Sequence, residues 1–109
     1  MRVVLCNCPV EDSERIAREL VVGRLAACVN ILPKVKSYYV WEGALQCDDE
    51  HTLIIKVPQE KVEALRQRIL DLHPYEVVEV LSLPVNIEES DQSYVDWVSR
   101  VVNTRTDIT

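Results

Sequence analysis

Short apolar runs and amphipathic segments follow one another along this chain in an order that defines a fold class before any chemistry is considered. Arg2 to Cys8 (RVVLCNC) is a strand-like run that Pro9 stops. Asp12 and Ser13 are residue types that cap helix N-termini. From there Ile16, Ala17, Leu20 and Val21 fall on one face of a helix running to about Leu25. Ala27 to Trp41 is one long β-compatible stretch broken only by Pro33, which marks an edge or a bulge. Gly43 opens a polar turn through Gln46, Asp48, Asp49 and Glu50, and His51 to Val57 returns antiparallel as far as Pro58. A second helix, Gln59 to Leu72, sets Val62, Leu65, Ile69 and Leu72 on one stripe. His73-Pro74 ends it, because the residue before a proline avoids the α region. Glu76 to Leu83 reads as the last strand, closed by Pro84. Gln92 to Val102 reads as a short C-terminal helix carrying Val95, Trp97, Val98 and Val102, and Asn103 to Thr109 as a frayed tail.

The order β-α-β-β-α-β plus one helix is the split-βαβ, ferredoxin-like arrangement of the α+β class, an antiparallel sheet with two helices on one face. Residues 1–102 form a single domain on this reading and 103–109 a tail. A sheet covered on one side alternates apolar and polar residues. Here Val3-Val4-Leu5-Cys6, Leu53-Ile54-Ile55 and Val77-Val78 with Val80-Leu81 are apolar on both faces. Two helices cover one of those faces and the third is too small for the other, so other subunits are expected to cover it. The long stretch points the same way. Strands usually run to about five or six residues, so a hairpin built on 27–41 projects beyond its own sheet, and exposed apolar edges invite pairing. Tyr39 and Trp41 are the expected anchors of that arm, since Trp and Tyr dominate interface energetics. Trp97 is expected to pack the final helix over a neighbouring arm or the sheet edge.

Charge and composition narrow the function classes. The 109 residues carry 18 acidic against 12 basic side chains, a formal net charge of −6. That field repels phosphate backbones and argues against nucleic acid as a partner. No apolar run approaches the roughly 20 residues of a membrane span, and the N-terminus enters a strand directly without a signal-peptide pattern. A cytoplasmic protein is expected. With two glycines in all, Gly23 and Gly43, a backbone phosphate cradle has no sequence support. The four cysteines, Cys6, Cys8, Cys28 and Cys47, match no zinc spacing and are expected to be thiols in a reducing compartment. Cys6-Asn7-Cys8 puts two sulfurs on one side of a strand. An enzyme is not expected. Ferredoxin-like acyl phosphatases use an Arg in a Gly-rich loop after the first strand, whereas Asn7 to Asp12 is acidic and has neither residue. A nucleophilic Cys6 would need a base, and only His73 and His51 are available.

Five segments, RLAACVNILP (24–33), YYVWEG (38–43), TLIIK (52–56), HPYEVVEVLSLPV (73–85) and YVDWV (94–98), together resemble the CutA family of divalent-cation tolerance proteins. The resemblance spans nearly the whole chain and rests on the order and spacing of the segments. It implies a stable homotrimer of ferredoxin-like subunits with interlocking hairpins, built like the PII-type signalling proteins, with sensing in clefts between subunits. It also implies metal tolerance, binding of copper or another divalent cation, and no catalytic activity. Carried onto this chain, the metal ligands are Cys6, His73 and Glu79, with Cys8 as an additional or alternative sulfur. Thiolate suits Cu(I), and imidazole with carboxylate suits Cu(II). The plainer reading has Cys6 and Cys8 filling space and His73 complementing a helix C-terminus. Two positions depart from the family. Lys34 follows ILP where members often have Gly, and Leu72 stands where some have a second His. The alternative function is a PII-like signalling or scaffold trimer that holds a small ligand or protein partner in its clefts. Lys56, Tyr75 and Glu76 are the expected cleft residues, and Lys56 with Glu79 is an alternative intersubunit ion pair.

Overall fold

A computed structural model describes residues 1–104 of the chain. Strand β1 spans Arg2–Pro9, helix α1 Ser13–Val22, β2 Cys28–Trp41, β3 Ala44–Val57, helix α2 Val62–Leu72, β4 Leu81–Pro84 and helix α3 Gln92–Asn103. Single turns of 3-10 helix lead into α1, α2 and, after Asn86, towards α3. The sheet order is β2-β3-β1-β4, and every adjacent pair is antiparallel. β3 therefore separates the parallel strands β1 and β2, which is the split-βαβ arrangement expected from the sequence. The tail expected from Asn103 differs, because α3 still includes Asn103, while 105–109 lie outside the described residues.

The core lies between one sheet face and the two longer amphipathic helices. β1 contributes Val4, Cys6 and Cys8 at alternate positions, and β3 contributes Leu53, Ile55 and Val57. Ile16 and Leu20 of α1 and Leu65 and Ile69 of α2, each pair four apart on its helix, close over them and are all fully buried. At about 1.5–3 kcal/mol for each buried aliphatic side chain, this layer is the main favourable contribution to folding. A second, smaller cluster joins Val98 and Val102 of α3 to Ala27, with Met1, Trp97 and Val101 against it.

Several boundaries depart from expectation for identifiable reasons. α1 stops at Val22 and not Leu25, because Arg24 adopts the left-handed conformation (φ 60°) and the Leu25 and Ala26 amides turn back to the Leu20 carbonyl. Gly23 is required there by space, since a Cβ would sit 2.9 Å from the Glu19 carbonyl oxygen. β3 begins at Ala44, so residues read as a polar turn form the returning half of a two-stranded arm, and the turn itself is Glu42-Gly43. β4 covers Leu81–Pro84 alone, and 76–80, expected as strand, are unpaired.

The arm carries one irregularity with long reach. Leu32 pairs with Thr52 and Val35 with Glu50, three steps on β2 against two on β3, which is a β-bulge at Pro33-Lys34. One extra residue exchanges the faces of everything beyond it. Before the bulge Cys28, Asn30 and Leu32 share the face opposite the helices; after it Val35, Ser37, Tyr39 and Trp41 do. Lys34 holds φ at 60° to make the bulge, a conformation that disfavours a side chain by roughly 1–2 kcal/mol and that glycine adopts freely. Lys34→Gly is expected to stabilise the protein by about 1 kcal/mol after the entropic cost of glycine, read as a raised denaturant midpoint at unchanged m. An unchanged or lowered midpoint would contradict backbone strain at this position.

Candidate functional site

The short β4 sets up the site. It pairs with Arg2–Leu5 only, which leaves the Cys6–Pro9 half of the β1 edge to the connection after α2. His73, at the C-terminus of α2 and 7 % exposed, fastens that connection to the strand. Its Nδ1 accepts from the Tyr75 amide (3.2 Å), so its Nε2 carries the proton and donates to the Asn7 carbonyl (2.8 Å). The Tyr75 ring lies tilted against the imidazole, centroids 4.6 Å apart. Residues 74–79 thereby pass over the face of the sheet that the helices leave open.

Between this segment and the arm lies a cavity of about 800 Å³. Asn7, Glu50, Tyr39 and Trp41 line the sheet side, and Tyr75, Glu76 and Glu79 the other, with no Lys, Arg or His in the lining. Glu50 is 5 % exposed, and its recorded partner is the Tyr75 hydroxyl, which donates to Oε2 at 2.9 Å. None of the ion pairs among the described residues includes it. Burial, then this bond to the Glu50 carboxylate, push the Tyr75 phenol well above its ordinary pKa. The Tyr39 hydroxyl donates to Asp48, two residues from Glu50 on the same face, and Thr52 Oγ1 donates to Asn7 Oδ1 at 2.7 Å. The result is an aromatic-walled pocket of negative charge.

Other expected site residues are dispersed. Cys6 is fully buried in the core between Val4 and Leu53, and desolvation, with the Cys8 thiol and the Glu79 and Glu50 carboxylates adding to it, pushes its pKa up to about 12. Both nitrogens of His73 are engaged. Among the described residues no three His, Cys, Asp or Glu side chains converge to hold a metal ion. Within the single chain the donor set Cys6, His73 and Glu79 therefore does not fit copper, which needs a thiolate and a free imidazole lone pair. Cys8, its thiol raised by burial to about 11, lies in the core as well. Lys56 stands at the far end of β3, bonded to Asn30 and within 4.0 Å of the Cys28 sulfur, away from Tyr75 and Glu76. Trp97 packs inside its own subunit against the α3 cluster, with Tyr94 at 5.6 Å between ring centroids.

Sequence reasoning read Glu50 as part of a solvated acidic turn, passed over Asn7 as a site residue, and missed a half-buried pair. Ser13 donates its one proton to the Val10 carbonyl (2.9 Å) and accepts from His51 Nδ1 (2.8 Å), which ties the start of α1 to β3. Both groups are thereby spent on structure. Glu50 had a signal: it shares its face with Thr52 and Ile54, at the even spacing of a strand.

Residues 2–101 match the model of the CutA1 divalent ion tolerance protein family. The chain belongs to that family. It is 43% identical over 97 residues to the divalent-cation tolerance protein CutA of Thermus thermophilus, covering 88% of this chain and 92% of that protein. It is 46% identical over 97 residues to a CutA homologue of Xenopus laevis, of which it spans only 63%; the first relatives it matches are considerably longer than the shared region. Among solved structures, the PII-like protein CutA from Nostoc sp. PCC 7120 superposes with a TM-score of 0.91 at 42% identity, covering 94% of this chain and 98% of that one. The α+β architecture of this CutA1-family chain is thus shared along almost its full length with a PII-like protein.

Two measurements check the site chemistry. Because the Cys6 and Tyr75 pKa values are raised, the folded state holds these protons more tightly than the unfolded state. Their stabilisation is complete below the unfolded-state values and is lost as pH rises through the folded ones. From neutral pH upwards, the contribution of these groups should therefore stay constant to about pH 9 and be lost between there and about 12, the range over which Cys6 titrates. At neutral pH, exposed Cys47 should react at once with an aromatic disulfide while buried Cys6 and Cys8 react only on unfolding. Rapid labelling of all four thiols would contradict the buried placement.

Proposed function

We propose that this CutA1-family chain is a non-enzymatic, cytoplasmic, PII-like homotrimer that takes part in divalent-ion tolerance by binding a ligand in the cavity between its arm and residues 74–79. The observation that carries this reading is Glu50, a carboxylate buried in a cavity without an ion-pair partner among the described residues. A buried uncompensated charge is costly and is a mark of functional sites. Assembly is supported by the face of the sheet opposite the helices, where Leu32, Leu81 and Leu83 are about half exposed, and by the arm, where Tyr39 and Trp41 remain 42% exposed. A symmetric partner covering this face would bury them together.

Direct binding of copper or another divalent cation is the second reading. It is favoured by the carboxylates of Glu50, Glu76 and Glu79 sharing one cavity. Native mass spectrometry of the reduced protein separates the two. The ligand reading expects a trimer whose copper adducts have no fixed number and are indifferent to Cys6→Ser. The direct-metal reading expects a fixed number per trimer that Cys6→Ser or Glu79→Gln abolishes. A monomer would overturn both. Trp41→Ala is expected to lower the subunit-dissociation temperature, by an interface loss of about 2 kcal/mol or more; an unchanged temperature would remove Trp41 from the interface.

A further inference from the structure

The open face of the sheet carries its charges at opposite ends. Strand alternation directs the even-numbered residues of β3 to this face, and from the arm inwards these include Asp48, Glu50, Thr52, Ile54 and Lys56. Both acids stand at the arm end. Lys56, the one base that the strands direct to this face outside the bulge, stands at the other. Between the two ends the surface is mainly apolar, with Leu32, Leu81 and Leu83 about half exposed. Neither end is compensated within its own chain. Glu50, 5% exposed, accepts from the Tyr75 hydroxyl at 2.9 Å. Half-buried Lys56 donates to the Asn30 amide oxygen and lies 4.0 Å from the Cys28 sulfur. None of the ion pairs among the described residues includes either of them. Charges taken out of water are costly unless they are paired. These two cannot pair with each other inside a subunit, because their places on β3 put them about 20 Å apart at about 3.3 Å per residue.

We propose that Lys56 of a neighbouring copy supplies the counter-charge of Glu50, so that the arm end of one open face docks on the inner end of the next. The proposal rests on the homotrimer of the PII-like reading; it names the register of the interface and makes the cleft at Glu50 a composite of two subunits. Acid and base lie at different ends of one face, so the contact is head to tail, the kind that closes into a ring when the rotation between copies allows. A closed ring uses every Glu50 and every Lys56 once and leaves neither charge over. The same step covers the apolar middle of the face. Glu50 is the acid that gains most from a counter-charge, because it is buried, whereas Asp48 is half-buried and Glu79 is exposed, where an ion pair contributes little. Tyr75 contributes orientation. By donating to Oε2 of Glu50 it occupies one oxygen and leaves Oε1 to the incoming ammonium.

The test is subunit exchange between unlabelled and isotope-labelled protein, followed by native mass spectrometry. Truncating one partner of a buried charge pair acts mainly on dissociation, so Glu50→Gln and Lys56→Met are each expected to speed exchange about a hundredfold. The double variant is expected to exchange no faster than the quicker single. The swap of Glu50→Lys with Lys56→Glu in one chain is expected to return the rate towards that of the unsubstituted protein. Should the single variants fail to assemble, Glu50→Lys and Lys56→Glu chains are produced together. Each then supplies the charge the other lacks, and mixed assemblies are expected in preference to assemblies of one chain alone. Exchange indifferent to both neutral variants, additive effects in the double, or no mixed assemblies would overturn the pairing while leaving the trimer in place. Faster exchange in Glu50→Gln but not in Lys56→Met would mean that another cation faces Glu50, and would overturn it as well. A monomeric unsubstituted protein would overturn the pairing and the assembly together.

Discussion

The bulge at Pro33-Lys34 governs which side chains this subunit offers to a ligand or a partner. Because one extra residue enters β2 between Leu32 and Val35, the outer half of the strand is inverted relative to the inner half. Tyr39 and Trp41 then lie on the same face as Asn7, Thr52 and Glu50, which is the face the helices leave open. Without the extra residue Tyr38 and Val40 would occupy it, and the cavity would lose its indole wall. The inner half of the arm keeps Val29 and Ile31 packed on the helix-covered core. A single strand thus serves the core at one end and the site at the other, and the backbone at Lys34 is the joint between the two duties.

A second constraint acts on the other side of the cavity. Four residues of β4 cover only half of the β1 edge, and His73 satisfies the Asn7 carbonyl that a longer strand would have paired. Buried backbone groups are nearly always paired, so this bond replaces a ladder bond and frees residues 74–79 to leave the sheet plane. The imidazole that the family resemblance pointed to as a metal ligand is, in the single chain, a backbone latch. It is this latch that brings Tyr75 to Glu50.

Much of this was legible from residue pattern alone. The element order, the one-sided placement of α1 and α2, the excess length of β2 and the irregularity at Pro33 all follow from periodicity and from the chemistry of proline. Three features did not, and each has a physical cause. Ala44 to Glu50 is strand because β2 pairs with it, yet its two faces see solvent or the cavity, so no apolar alternation marks it. Val77, Val78 and Val80 have strand-like composition, but the edge they would join is closed by a side chain from another element. Lys56 and Tyr75, grouped as residues of a cleft between subunits, lie apart within one chain, Lys56 beside Cys28 at one end of β3 and the Tyr75 hydroxyl at Glu50 near its middle, so a shared cleft would take them from different subunits. Only the register of β3 against its neighbours reveals that separation. Glu50 was the costliest omission, because an acid between two aspartates and a histidine reads as solvated surface until pairing buries it.

The strained lysine of the bulge also bears on how the molecule behaves in a crowded solution. β2 is an outer strand of the sheet, fourteen residues long, with unpaired backbone donors and acceptors along one side. Such an edge is a template for strands of other chains, and proteins blunt it with prolines, bulges and lysines. Pro33, the bulge itself, Lys34 and Lys36 sit together near the middle of this edge, dividing it into two short halves. A glycine at 34 would relax the backbone but remove a positive charge from the place where edge-to-edge growth would begin. Residue 34 therefore sets thermodynamic stability against colloidal solubility, and a lysine held in a glycine conformation is consistent with solubility having been the stronger demand.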